Sequence, residues 1–129
     1  GAKMSELSLD DIRAYRAVVP AEFVLYTGAD RELVEAGSAG AQGVVSGVSS
    51  VLPKPFRALA AAADSGDAEL LARAQADVDD IVSVIGGDMP RMKAAYRAMG
   101  VADGVCRMAL AEPDDAALAE IDRVLAAYR

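Results

Sequence analysis

A chain of 129 residues allows one domain, or a piece of one, with a true core. Its residues are 53% hydrophobic with two Phe and no Trp, so that core is built from Ala, Val, Leu, Ile and Met; a net charge of −7 argues against nucleic acid or anionic membranes as partners. The absence of histidine excludes Ser-His-Asp and Cys-His catalysis and His-ligated zinc, while one cysteine, Cys106, excludes an internal disulfide and fits a reducing cytoplasm.

The opening Gly1-Ala2-Lys3 reads as the tail of a strand. Ser8 begins an S-x-x-D pattern reaching Asp11, a capping box with Asp in place of the usual Glu. Leu9, Ile12 and Val19 then mark one face of a short helix that ends before Pro20. "EFVLYTG", residues 22–28, is an apolar run rich in β-formers and reads as a buried strand. A short helix follows, with Leu33, Val34 and Ala36 inward and Gly37 as its C′ stop. Gly43 to Ser46 is a second buried strand, and a helix from about Leu52 to Ala63 turns Phe56 and Leu59 inward. Pro53 and Pro55 suit its first turn, where N–H groups have no intrahelical partner.

From Asp67 the pattern is helical. Leu70, Leu71, Ala74, Val78, Ile81, Val82 and Ile85 fall at 3.6-residue spacing on a long amphipathic helix ended by Gly86-Gly87. Asp88 can cap the next helix, which carries Pro90 near its start, Met92, Tyr96 and Met99 on one side, and Gly100 as its stop. The last helix is expected to start at Pro113, to set Asp114 and Asp115 against its N-terminal dipole, and to bury Leu118, Ile121, Leu125 and Tyr128. No apolar run approaches the roughly 18 residues of a membrane span, and no signal peptide is evident.

Strand–helix alternation with continuous apolar strands predicts a parallel sheet covered by helices. Three such strands leave two open edges, whereas a barrel of this type closes with eight strands and about 250 residues. The fold class is therefore α/β: the C-terminal part of a (β/α)8 TIM barrel, about three parallel βα units over residues 1–64, followed by a three-helix C-terminal extension over residues 65–129. A small doubly wound fold is the competing architecture. In both, the C-terminal ends of the strands form the chemical face. Lys3, the turn Thr27 to Asp30 and the turn Ser46 to Ser50 fall there. Small residues in the second turn let backbone approach a ligand, and the following helix offers N–H groups to a carboxylate or phosphate. Equally, its glycine permits a tight turn capped by Ser49 or Ser50.

Three stretches carry a family likeness. "GAKMSELSLDDI" is similar to a G-[IVF]-K-x-[ST]-x-x-x-L segment at a sixth strand. "FVLYTGAD" and "GAQGVVSGVSSVLP" are similar to V-L-x-G-x-D and G-[AH]-x-G-[VA]-I-S at the seventh and eighth. "MPRMKAAYRAMG" is similar to a tail segment I-P-x-K-x-A-L-x-x-x-G. Together, and over essentially the whole chain, they resemble the C-terminal part of the dihydrodipicolinate synthase / N-acetylneuraminate lyase family, Schiff-base aldolases and lyases of pyruvate and related 2-oxo acids.

The resemblance implies that Lys3 forms the imine, that Gly28 lines the pocket, and that backbone at Val45 and Ser46 approaches the keto acid. A primary amine is needed because the protonated imine acts as the electron sink for making or breaking a carbon–carbon bond. Burial at a barrel mouth would favour the free amine. The likeness implies no cofactor and no metal, a cytoplasmic enzyme, no nucleic-acid or membrane partner, and either a homo-oligomer or pairing with an N-terminal half-barrel. The chain departs from the family at Met4-Ser5-Glu6-Leu7-Ser8, where an acidic residue and S-[SG]-x-D are usual, and at Cys106 to Leu110, where R-L-P-L loses its proline. The family's threonine-rich carboxylate grip and proton-relay tyrosine belong to earlier βα units, and Tyr26 lies on the wrong strand for that role. A second reading takes Met4 as an initiator preceded by tag residues, and the chain as a non-catalytic truncated half-barrel module that self-associates.

Overall fold

A computed structural model of the chain describes residues 1–128. Strands β1 (Ala2–Met4), β2 (Leu25–Thr27) and β3 (Gly43–Val44) form one parallel sheet in the order β1-β2-β3. Lys3 is in register with Tyr26, and Tyr26 with Gly43. Between and after the strands come helices α1 (Leu9–Val18), α2 (Leu33–Ser38), α3 (Gly47–Val51), α4 (Pro53–Ser65), α5 (Ala68–Ile85), α6 (Met89–Ala98) and α7 (Asp115–Ala126). Parallel strands joined through helices are the expected βα units, and α5 to α7 are the expected extension.

Local chemistry sets most helix ends. At α1 the Ser8 hydroxyl accepts from the Asp11 N–H at 3.2 Å while the Asp11 carboxylate accepts from the Ser8 N–H at 2.9 Å, a complete capping box. Hydrogen bonds from Ser8 hold the Asp11 carboxyl below its ordinary value. Asp67 caps α5 by accepting from the N–H groups of Glu69 and Leu70, and Asp88 caps α6 by accepting from Arg91.

Five expectations are corrected. Gly37 does not stop α2, which runs on to Ser38; the left-handed turn falls at Gly40, φ +102°, where the Arg16 methylenes lie 2.8 Å from the point a β-carbon would occupy. The Ser46 to Ser50 turn coils into α3, and its cap is Ser46, not Ser49 or Ser50. The last helix begins after Asp114, which caps it, so Pro113 lies outside. Leu118 is exposed, because it borders a shallow hollow beside Ala94 and Ala98, whose small side chains do not cover it. Leu70 is likewise exposed, near the start of α5.

Two cores result. The smaller joins Met4, Ile12, Leu25, Ala36, Ala39 and Ala41 beneath the sheet. The larger runs through α3 to α7 around Val48, Phe56, Leu59, Val78, Ile81, Ile85, Ile121 and Leu125, with Leu33, Val34 and Val44 packed against it. Each fully buried Leu or Ile there contributes about 1.5–3 kcal/mol of transfer free energy. Polar ties reinforce the packing: Gln75 donates to the Arg31 carbonyl at 3.1 Å, and Arg123 donates to both carboxylate oxygens of Asp80 at 2.8 and 2.9 Å, fixing α7 to α5. Among the described residues no helix is long and apolar enough to cross a membrane.

Candidate active site

Side chains alternate across a strand, so the sheet has two different faces. Met4, Leu25 and Thr27 are buried against the helices, while Lys3 and Tyr26, side by side in register, are exposed on the other face. The ladder continues past the strand ends, where the Gly28 N–H donates to the Met4 carbonyl and the Val45 N–H donates to the Thr27 carbonyl, each at 2.9 Å. That brings Met4, Gly28 and Val45 onto one rim at the C-terminal edge of the sheet. Thr27, fully buried, fixes the turn beyond it by accepting from the Ala29 N–H at 3.0 Å.

Lys3 reaches this rim. Its Cε lies 3.1 Å from the point a Gly28 β-carbon would occupy, and Ser5 Oγ lies 2.9 Å from the same point. The missing side chain at Gly28 is therefore the space the lysine stem crosses. The structure thus brings Lys3, Ser5 and Gly28 together. Ser5 takes the [ST] position of the G-[IVF]-K-x-[ST] segment, two residues after Lys3, and that spacing is the signal that finds it.

Val45 projects its side chain into solvent and leaves its backbone on the rim. Ser46 is engaged otherwise: its hydroxyl accepts from the Ser49 N–H at 2.9 Å, and its carbonyl accepts from the Ser49 hydroxyl at 3.0 Å. α3 is five residues long, and one of its early N–H groups is already taken by the Ser46 hydroxyl. Tyr26 lays its ring over β3, 3.5 Å from the point a Gly43 β-carbon would occupy. Lys3 is exposed, and the described residues do not enclose it.

The helical extension also meets the rim, which the sequence did not reveal. Met92 Sδ lies 2.9 Å from the point a Gly47 β-carbon would occupy, and the hydroxyls of Ser50 and Tyr96 are 3.0 Å apart. Lys54 donates to the Tyr128 carbonyl at 3.2 Å. Among the described residues no group of three or more His, Cys, Asp or Glu side chains is placed to hold a metal ion.

The sequence profile of the dihydrodipicolinate synthetase family matches residues 1–128. A 4-hydroxy-tetrahydrodipicolinate synthase of Shewanella pealeana is 30% identical over 115 residues, which are 87% of this chain and 39% of that protein. The enzyme of the same name from Exiguobacterium sibiricum is 29% identical over 113 residues, 86% of this chain and 39% of its own length. Among solved structures, N-acetylneuraminate lyase from Mycoplasma synoviae superposes with a TM-score of 0.83 at 20% identity, covering 99% of this chain and 45% of that one. Dihydrodipicolinate synthase from Aquifex aeolicus gives 0.80 at 24% identity, covering 98% and 44%. The chain thus spans about two fifths of the length of the curated relatives it matches. Its fold is the C-terminal part of their TIM barrel with the helices that follow it.

Proposed function

The chain belongs to the dihydrodipicolinate synthetase family, and from that premise we propose that it is the C-terminal portion of a lyase that makes or breaks a carbon–carbon bond in pyruvate or a related 2-oxo acid through an imine at Lys3. The observation that carries this reading is the Lys3 stem lying over Gly28 at the C-terminal rim of the parallel strands. The Lys3 amine adds to the ketone carbon and water leaves. The protonated imine then accepts the electron pair of the carbon–carbon bond being broken; in the other direction it loses a proton from the neighbouring carbon to a base, and the enamine so formed supplies the pair for the bond being made. Gly28 leaves the floor of the pocket open, and backbone at Val45 and Ser46 borders the keto acid. No cofactor enters this chemistry. Earlier βα units, pairing with β1 and β3, supply the apolar enclosure that the exposed lysine lacks here; the assembled enzyme is cytoplasmic and oligomeric.

A second reading is favoured by a specific observation. The helix-free face of the sheet carries Tyr26 and Val45, 38% and 45% exposed. A non-catalytic half-barrel module covers such a face by self-association.

One experiment separates the two. The chain is treated with pyruvate and borohydride, alone and mixed with the first part of a relative's barrel, and the modified residue is mapped by mass spectrometry while light scattering reports mass in solution. The lyase reading expects reductive attachment of pyruvate at Lys3 in the mixture and none in a Lys3→Arg chain. Self-association without any adduct at Lys3, in the mixture as well as alone, supports the module instead.

A further inference from the structure

Residues 99–114 run without regular secondary structure between α6 and α7, and between this segment and α6 lies a groove. It consists of two hollows that share Met89 and Lys93. One, of about 210 Å3, is walled by Met92, Tyr96 and Gly104; the other, of about 290 Å3, is walled by Met108 and Leu110. The segment is held in place by Arg97, which donates to the Gly104 carbonyl at 2.6 Å and to the Glu112 carboxylate at 2.9 Å. The floor is held too, through the Tyr96–Ser50 hydroxyl pair.

Lys93 stands where the hollows meet, half-buried, with Nζ 3.8 Å from the point a Gly104 β-carbon would occupy. Among the described residues no carboxylate lies within ion-pairing distance of it and no carbonyl accepts from it. Arg107 borders the second hollow and Asp103 the first, so the groove carries two cations and one carboxylate on a chain whose net charge is −7. A concave apolar surface with one convergent charged group is the form of a small-molecule site. An ammonium partly removed from water without a partner gains from an anion that brings a charge-assisted hydrogen bond.

We propose that this groove binds a small organic monocarboxylate with an apolar body, its carboxylate on Lys93 and its hydrocarbon against Met89, Met92 and Tyr96. Methionine walls suit this ligand class because the unbranched thioethers adapt to varied hydrocarbon shapes. Asp103, exposed on the rim, repels a second negative charge and so selects a monocarboxylate over a dicarboxylate. The inference is independent of the imine at Lys3.

The test uses the whole chain with 13C-methyl methionine, followed by NMR as hexanoate, hexan-1-ol or adipate is added. Hexanoate is expected to shift the Met89 and Met92 methyl signals saturably, with a dissociation constant of about 1 mM, and to leave Met4 unmoved. Hexan-1-ol and adipate bind roughly tenfold more weakly. Lys93→Gln brings hexanoate down to the level of the alcohol, and Lys93→Arg, which keeps the charge, retains binding. Equal response to hexanoate and hexan-1-ol, an unchanged response in Lys93→Gln, or no saturable shift at Met89 and Met92 would overturn the assignment.

Discussion

The stem of Lys3 crosses the backbone of Gly28, its Cε 3.1 Å from the point where a β-carbon would stand. Ser5 crowds the same point with its Cα at 3.1 Å and its Oγ at 2.9 Å. A lysine stem can swing aside, but the Ser5 backbone cannot without disturbing the end of β1. Gly28→Ala should therefore cost about 1–3 kcal/mol in urea unfolding. On the lyase reading it should also reduce pyruvate trapping at Lys3 in the complemented barrel. A variant as stable as the parent would mean that the rim is looser than the distances say.

Gly47 and Met92 form a second close approach, this time between the end of β3 and the helical extension. A β-carbon at Gly47 would stand 2.9 Å from Met92 Sδ. Met92 is buried but borders a hollow, into which its flexible thioether can retreat. We expect Gly47→Ala to cost under about 1 kcal/mol, and Gly47→Ala with Met92→Ala to cost less than the two single changes summed. Strict additivity in the double-mutant cycle would show that the two residues do not meet.

Two apolar residues one turn apart on α7 should behave differently. Ile121 is 1% exposed in the larger core and Leu118 is 38% exposed at the edge of a hollow. Ile121→Ala should cost about 2–5 kcal/mol, leaving a cavity among α5 to α7. Leu118→Ala should cost under about 1 kcal/mol. Thermal or urea unfolding checks both, and similar losses at the two positions would contradict the observed burial of Ile121 and exposure of Leu118.

Acid should weaken the tie between α7 and α5. The Arg123 guanidinium donates to the Asp80 carboxylate and holds its carboxyl below the ordinary 3.8, with slight burial acting the other way. A depressed folded-state value means that the contribution is present above the unfolded value and is lost as pH falls through the folded one. Arg123→Met should therefore be less stable than the parent at pH 7, by a modest amount because both groups are half-exposed. The gap should close as pH is lowered below about 3.9. A gap that persists unchanged in acid would place the effect of Arg123 elsewhere, in its contact with Glu120 or in the packing of its stem.

Much of the architecture was legible because its signals are short-range. The Ser8–Asp11 capping box, the caps at Asp67 and Asp88, and the spacing of Ala74, Val78, Ile81 and Ile85 each act within one or two helical turns. Apolar runs bounded by glycine marked β2 and β3, though the paired residues are fewer than the runs, since parallel bonding stops where the partner strand ends. The errors were also local. Residue type marks Gly37 as a stop, yet the left-handed turn falls at Gly40, against Arg16. Ser46, not its neighbours, proved to be the cap, because the chain coils immediately after β3.

By itself the sequence determined the order of the strands and of every helix but α3, the parallel α/β class and, through its likeness to known motifs, the family and the candidacy of Lys3 at a strand end. Those follow from periodicity, capping chemistry and motif spacing, which are properties of neighbouring residues. Only the tertiary structure decided that Lys3 lies across Gly28 with Ser5, that Tyr96 meets Ser50 across 46 residues of chain, and that Lys93 is left unpaired at the waist of an apolar groove. Such contacts arise when distant segments are packed against one another at fixed angles. The position of a side chain then depends on every element beneath it, and no stretch of sequence carries that information alone.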